Sequence, residues 1–124
     1  MKRVPRDISV HLFRREREGV RFLMLRRLPH RGGFWQGVTG APLPGETDID
    51  AAIREVRKET RYDVRDSLVS VTIRYHYALP PERADRWRAL YGPGVATISV
   101  VTFGAEVPRG VSPVLDAGEH DAFA

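Results

Sequence analysis

The sequence predicts an α+β fold, a mixed sheet with one strong helix packed on it. Three observations predict it. Two-residue alternation of apolar and polar side chains marks strands both before and after a central segment. That central segment, Thr47 to Arg61, carries apolar residues at helical spacing behind a helix-start residue. The chain has 124 residues, 42% of them hydrophobic, which suits one core and one domain over 1–124.

The elements follow in order. Ile8 to Arg14 alternates as a strand, Glu16 to Gly19 reads as a turn, and Val20 to Leu25 as the returning strand of a hairpin. Leu28 to Gly33 is a loop, and Phe34 to Val38 a short strand. Gly40 to Gly45 holds two prolines and is a shaped loop. Thr47 is a good N-cap, with Asp48 and Asp50 in the first turn, where the helix dipole favours carboxylates. Ile49, Ala52, Ile53, Val56 and Thr60 form the expected core-facing stripe, and the helix should end near Arg61. Leu68 to Leu79 reads as a strand with Val69, Val71, Ile73 and Tyr75 on one face. Tyr75 and Tyr77 are read as packing residues, or as one wall of a cleft. Pro80 and Pro81 end that strand, and a short helix containing Trp87 follows. Val95 to Val107 is a long strand, Pro108 to Gly118 a loop, and Glu119 to Ala124 the start of a last strand.

Composition removes several function classes. With no cysteine there is no disulfide, thiol nucleophile or Cys-ligated metal. No apolar run nears the roughly 18 residues that span a membrane, and no signal peptide is read, so a cytoplasmic protein with no membrane partner is expected. The net charge of +4 favours polyanionic partners, a phosphorylated small molecule before nucleic acid. A general arginine bias accounts for that charge equally well.

One cluster carries chemistry. Glu55 and Glu59 are four apart, so both project from one side of the helix, expected to be an exposed face. Paired carboxylates suit a hard cation such as Mg²⁺ or Mn²⁺. Glu46 adds a third just before the helix, and the Gly40–Gly45 loop offers backbone carbonyls. The alternative is a solvated face on which Arg57 and Lys58 pair with the glutamates.

Gly40, five residues, Glu46, seven residues, then Arg54-Glu55-Val56-Arg57-Lys58-Glu59 resembles the Nudix box. Two positions depart from the family pattern. Lys58 stands where the first of two glutamates belongs, and Arg61 where the closing glycine belongs, with Tyr62 for the last aliphatic. The lead-in Phe34 to Thr39, together with Tyr91 to Val95 and the Glu119-His120 pair, is similar to bacterial dihydroneopterin triphosphate and dATP pyrophosphohydrolases.

The resemblance implies an α/β/α Nudix sandwich and a Mg²⁺-dependent pyrophosphohydrolase of a nucleoside diphosphate-linked or triphosphate-like substrate, first dihydroneopterin triphosphate or a dNTP. It implies Glu55 and Glu59 as metal ligands, Gly40 as a carbonyl ligand, Arg54 as orienting residue with Glu46 as its partner, and Glu119 as base or extra ligand. Trp35 is a candidate for stacking on a base or pterin ring, core packing being the alternative. Gln36 is a candidate for reading a heterocycle edge, and Arg26, Arg27 and Arg31 for contacting phosphates. Lys58 is expected to weaken the site, lower its metal stoichiometry or replace one cation. The competing reading is a ligand-binding or regulatory module that has lost most hydrolysis. The family's usual C-terminal helix is not seen in the sequence, so the domain is either short or incomplete, and an uncovered sheet face would favour a homodimer.

Overall fold

The computed structural model describes residues 2–124. In chain order the strands and helices are β1 (Arg6–Glu16), β2 (Gly19–Phe22), β3 (Leu25–Arg27), β4 (Trp35–Gln36), β5 (Val38–Gly40), α1 (Asp48–Thr60), β6 (Leu68–Ala78), α2 (Ala84–Tyr91), β7 (Thr97–Glu106) and β8 (His120–Phe123). The larger sheet runs β2-β1-β7-β6, and β5 also pairs with β1. β1 lies parallel to β7 while its other pairings are antiparallel, so the sheet is mixed as expected. A smaller sheet runs β4-β3-β8.

Two expected strands are each divided between the sheets. The hairpin return ends at Phe22, and the chain re-pairs from Leu25 with β4 and β8. Likewise Trp35 and Gln36 join the small sheet, whereas Val38 to Gly40 pair with Ile8 to Val10 of the large one. Gly37 sits at that second crossing, where a Cβ would come within 3.0 Å of the Val10 carbonyl oxygen. The backbone approaches too closely there for a side chain.

The core forms where α1 covers the large sheet. Ile8, Val10, Leu12, Val38, Val101, Phe103 and Ala105 from the strands meet Ala51, Ala52 and Val56 of the helix. The Thr47 hydroxyl accepts the Asp50 amide at 3.1 Å, as an N-cap should. The expected core stripe needs correction at one end. Ala52, Val56 and Thr60 are buried and Ile53 is half-buried, but Ile49 is 53% exposed, left uncovered in the first turn. In its place Ala51, Glu55 and Glu59 belong to the buried face. The glutamates therefore do not occupy an exposed helix face.

Arg61 ends α1 in the left-handed region, at φ 69°, and its amide bonds back to the Arg57 carbonyl. This is the position where the family pattern has glycine. A Cβ in that conformation costs on the order of 1 kcal/mol. Arg61→Gly is accordingly expected to raise stability by about 1 kcal/mol, seen as a melting temperature several degrees higher. An unchanged or lower value would show that the arginine side chain offsets the strain.

Among the described residues β6 is an edge strand that pairs with β7 alone. Val69, Ile73, Tyr75 and Tyr77 along it are all exposed, so the tyrosines are not core packing residues. Tyr77 donates its hydroxyl to Asp7 at 2.7 Å. Both His11 and His76 are exposed. Among the described residues no helix follows β8.

Candidate active site

The loop after β5 and the start of α1 are joined through one guanidinium. Arg54 donates to both Glu46 oxygens at 2.9 and 3.0 Å, to Glu55 at 2.6 Å and to the Ala41 carbonyl at 3.1 Å. Glu46 in turn accepts the Leu43 amide at 2.9 Å. A planar fork matches a carboxylate in this two-bond manner, and a lysine cannot. The arginine's bonds hold the Glu46 carboxyl below its ordinary pKa. Gly40 lies beneath Glu55: a Cβ at residue 40 would stand 2.5 Å from the Glu55 carboxyl carbon. Sequence spacing thus has a spatial meaning here. Glycine makes room for Glu55, and Arg54 ties Glu55 and Glu46 into one frame.

The other half of the site comes from the last turn of α1 and from β8. Glu59, Glu119 and His120 each offer a ligand atom within 4.8 Å of the others. The side chains of Glu59 and His120 are only 3% and 1% exposed. Glu59 Oε2, Glu119 Oε2 and His120 Nδ1 are buried and have no hydrogen-bond partner. Orphaned polar atoms of this kind are costly unless something else satisfies them. Burial, with Glu55 and Glu119 close by, pushes the Glu59 carboxyl up to about 9. Burial also pushes the His120 ring down. At neutral pH and without a cation the two groups, 4.0 Å apart, are therefore both uncharged rather than an ion pair.

That arrangement fits a divalent cation. Two carboxylates converge with free lone pairs, and a neutral imidazole stands beside them. Oxygen donors suit Mg²⁺, and an added imidazole is accepted more readily by Mn²⁺. Lys58 reaches the same cluster, its ammonium 3.5 Å from Glu119 Oε1. Gln36 Nε2 lies 3.4 Å from His120 Nε2, on the ring edge away from Glu59.

Of the residues singled out in the sequence, the fold gathers Gly40, Glu46, Arg54, Glu55, Lys58, Glu59, Glu119 and Gln36. Arg27 is also near, since its charge acts on His120, and its buried Nε has no partner. Trp35 and Arg26 are not brought in with them. Neighbouring residues of a strand point to opposite faces, so Trp35 faces away from Gln36. Arg26 lies over the Trp35 ring, 5.8 Å from its centre, and pairs with Asp121 at 2.8 Å. Trp35 is 45% exposed, so it is not core either. His120 is a candidate ligand missed in the sequence, where only its neighbour Glu119 was given a role. The pair itself was visible, but nothing in one chain's sequence says which member is buried against the helix.

The family model described as NUDIX domain matches residues 4–123. An octanoyltransferase of Myxococcus xanthus is 34% identical over 122 residues, which is 95% of this chain. The chain spans only 29% of that relative's length. Among solved structures, the E. coli dihydroneopterin triphosphate pyrophosphohydrolase is 29% identical, with a TM-score of 0.77 over 100% of this chain and 81% of that one. An Ap4A hydrolase of C. elegans shares the fold at 20% identity, with a TM-score of 0.68 over 98% of this chain and 78% of that one.

Proposed function

The chain belongs to the NUDIX domain family, and from that premise we propose that it is a metal-dependent pyrophosphohydrolase of a nucleoside triphosphate-like compound. The observation that carries the reading is the buried convergence of Glu59, Glu119 and His120 with unsatisfied ligand atoms at the end of the box helix. Likeness to the E. coli dihydroneopterin triphosphate pyrophosphohydrolase supports that compound as first substrate, with a dNTP as the alternative triphosphate to test beside it. The domain is read as one unit over 1–124, and its net charge of +4 suits a phosphorylated small molecule.

Glu59 and Glu119 would hold a Mg²⁺ or Mn²⁺ ion, with His120, Glu55 and the Gly40 carbonyl as further donors. Such an ion supplies charge neutralisation at the phosphates and acidifies a bound water. The chain's own residues do the rest. Arg54 is a positioning residue that fixes Glu55 on one side and the loop on the other, through Glu46. Glu119 keeps one oxygen on Lys58 and leaves the other free, so that oxygen serves either as a donor to the ion or, in place of that, as acceptor of a proton from an attacking water. Arg27 presents an unpartnered N–H near His120, apt for a phosphate oxygen. Gln36, 3.4 Å from His120 Nε2, is placed to align that ring and is the candidate for reading a heterocycle edge.

A phosphate- and pyrophosphate-release screen with Mg²⁺ or Mn²⁺ tests this reading. The panel should hold dNTPs, dihydroneopterin triphosphate and Ap4A, with nucleotide products also separated by chromatography, since Ap4A cleaved to ATP and AMP frees neither phosphate nor pyrophosphate. Pyrophosphate release from a triphosphate is the expected result. No cleavage of any compound, with a ligand still raising the melting temperature, would instead establish a binding module.

A further inference from the structure

We propose that the ammonium of Lys58 is a built-in cation of this centre, so that the metal-free site is completed by one divalent ion rather than two. The inference rests on the metal-dependent reading above. Four carboxylates face the site: Glu46, Glu55, Glu59 and Glu119. Two fixed cations pair with them directly. Arg54 neutralises Glu46 and Glu55 across contacts of 2.6 to 3.0 Å, and Lys58 lies 3.5 Å from Glu119. Counted fully ionised, as they would be around a bound ion, four negative and two positive charges leave two negative charges, the charge of one divalent ion.

The free ligand atoms agree with that count. One oxygen of Glu59, one of Glu119 and His120 Nδ1 stand buried without a partner in a single cluster, room for one ion, with Glu55 Oε2 left beside them. Glu55 Oε1 and both Glu46 oxygens are already taken by Arg54. Lys58 also differs from a mobile ion in being tethered. Its side chain is 48% exposed, so it reaches Glu119 from the solvent side and is not needed to fill the core. A glutamate at that position would turn two negative charges into four, enough for a second ion.

Mn²⁺ binding followed by electron paramagnetic resonance of the free ion counts the sites without relying on turnover. The wild-type chain should bind one Mn²⁺, and Lys58→Glu two. Lys58→Gln should still bind one, roughly tenfold more tightly, the scale on which a unit charge acts on a divalent ion a few ångströms away in a water-like dielectric. Because Lys58 is half-exposed, the circular dichroism spectra of both variants should match wild type and certify the fold, while the metal-free melting temperature of Lys58→Glu falls as a fifth carboxylate joins the cluster. Two ions on the wild-type chain, or a single ion on Lys58→Glu, would overturn the proposal while leaving a metal centre in place. No ion on wild type, with Glu59→Gln indistinguishable from it, would overturn the metal-dependent reading itself.

Discussion

Replacing Glu59 by glutamine is expected to lower metal-dependent turnover about a hundredfold or more while leaving the metal-free fold at least as stable. The two effects have one cause. Glu59 is a nearly buried carboxyl crowded by Glu55 and Glu119, and its pKa of about 9 means that the cation-free protein carries it protonated at neutral pH. Glutamine has the same shape and no charge, so the fold loses nothing by the exchange. Its amide oxygen can face a cation but brings no negative charge to balance it. Losing several kcal/mol of charge stabilisation corresponds to a loss of at least about a hundredfold.

The pH dependence carries a sign that checks this account. The folded value lies above the ordinary carboxylate value of 4.5, so the folded state keeps a proton that the unfolded state has released. The resulting stability is complete below about 4.5 and is lost progressively as the pH rises towards 9. Without metal, wild type should therefore lose stability over that window relative to Glu59→Gln. Added Mg²⁺ should raise the melting temperature of wild type and not of the variant. Denaturant melts at several pH values, with and without Mg²⁺, would decide the matter. Parallel curves for the two proteins would remove Glu59 from the centre.

Gly40→Ala should destabilise by about 1–3 kcal/mol, the usual penalty for forcing atoms into a packed site. The new methyl would stand 2.5 Å from Glu55 Cδ and 2.6 Å from Cγ. Glu55 cannot simply swing aside, because Arg54 holds its carboxylate at 2.6 Å and is itself bound to Glu46 and the Ala41 carbonyl. The strain should therefore reach the loop, and turnover should fall together with stability. At about 4 °C per kcal/mol, the melting temperature should drop by several degrees. A double-mutant cycle with Glu55→Ala isolates the clash. The added methyl should cost little once the Glu55 side chain is gone, so the two losses should not add. Strict additivity would mean that Gly40 is required for another reason.

Much of this chain is legible one residue at a time. The helix from Thr47 to Arg61 follows from its cap, its early carboxylates and its spacing, all local properties of the chain. The link between Gly40, Glu46, Arg54 and Glu55 is legible as a motif because each member sits on, or just before, one helix. Even the left-handed turn at Arg61 is marked by the glycine that the family pattern calls for there. Three features needed long-range packing. The returning strand after Gly19 and the strand at Phe34 to Val38 each divide between two sheets, because β3 finds a partner in β8 nearly a hundred residues away and β4 joins the other edge of β3. Glu55 and Glu59 are buried rather than solvated, since the helix face is chosen by what covers it, and polarity alone suggested the opposite. His120 enters the site and Trp35 turns from it, because strand alternation assigns faces only after the pairing register is set. Local spacing thus carries the helix and its motif, whereas burial, register and the meeting of α1 with β8 are properties of the folded chain.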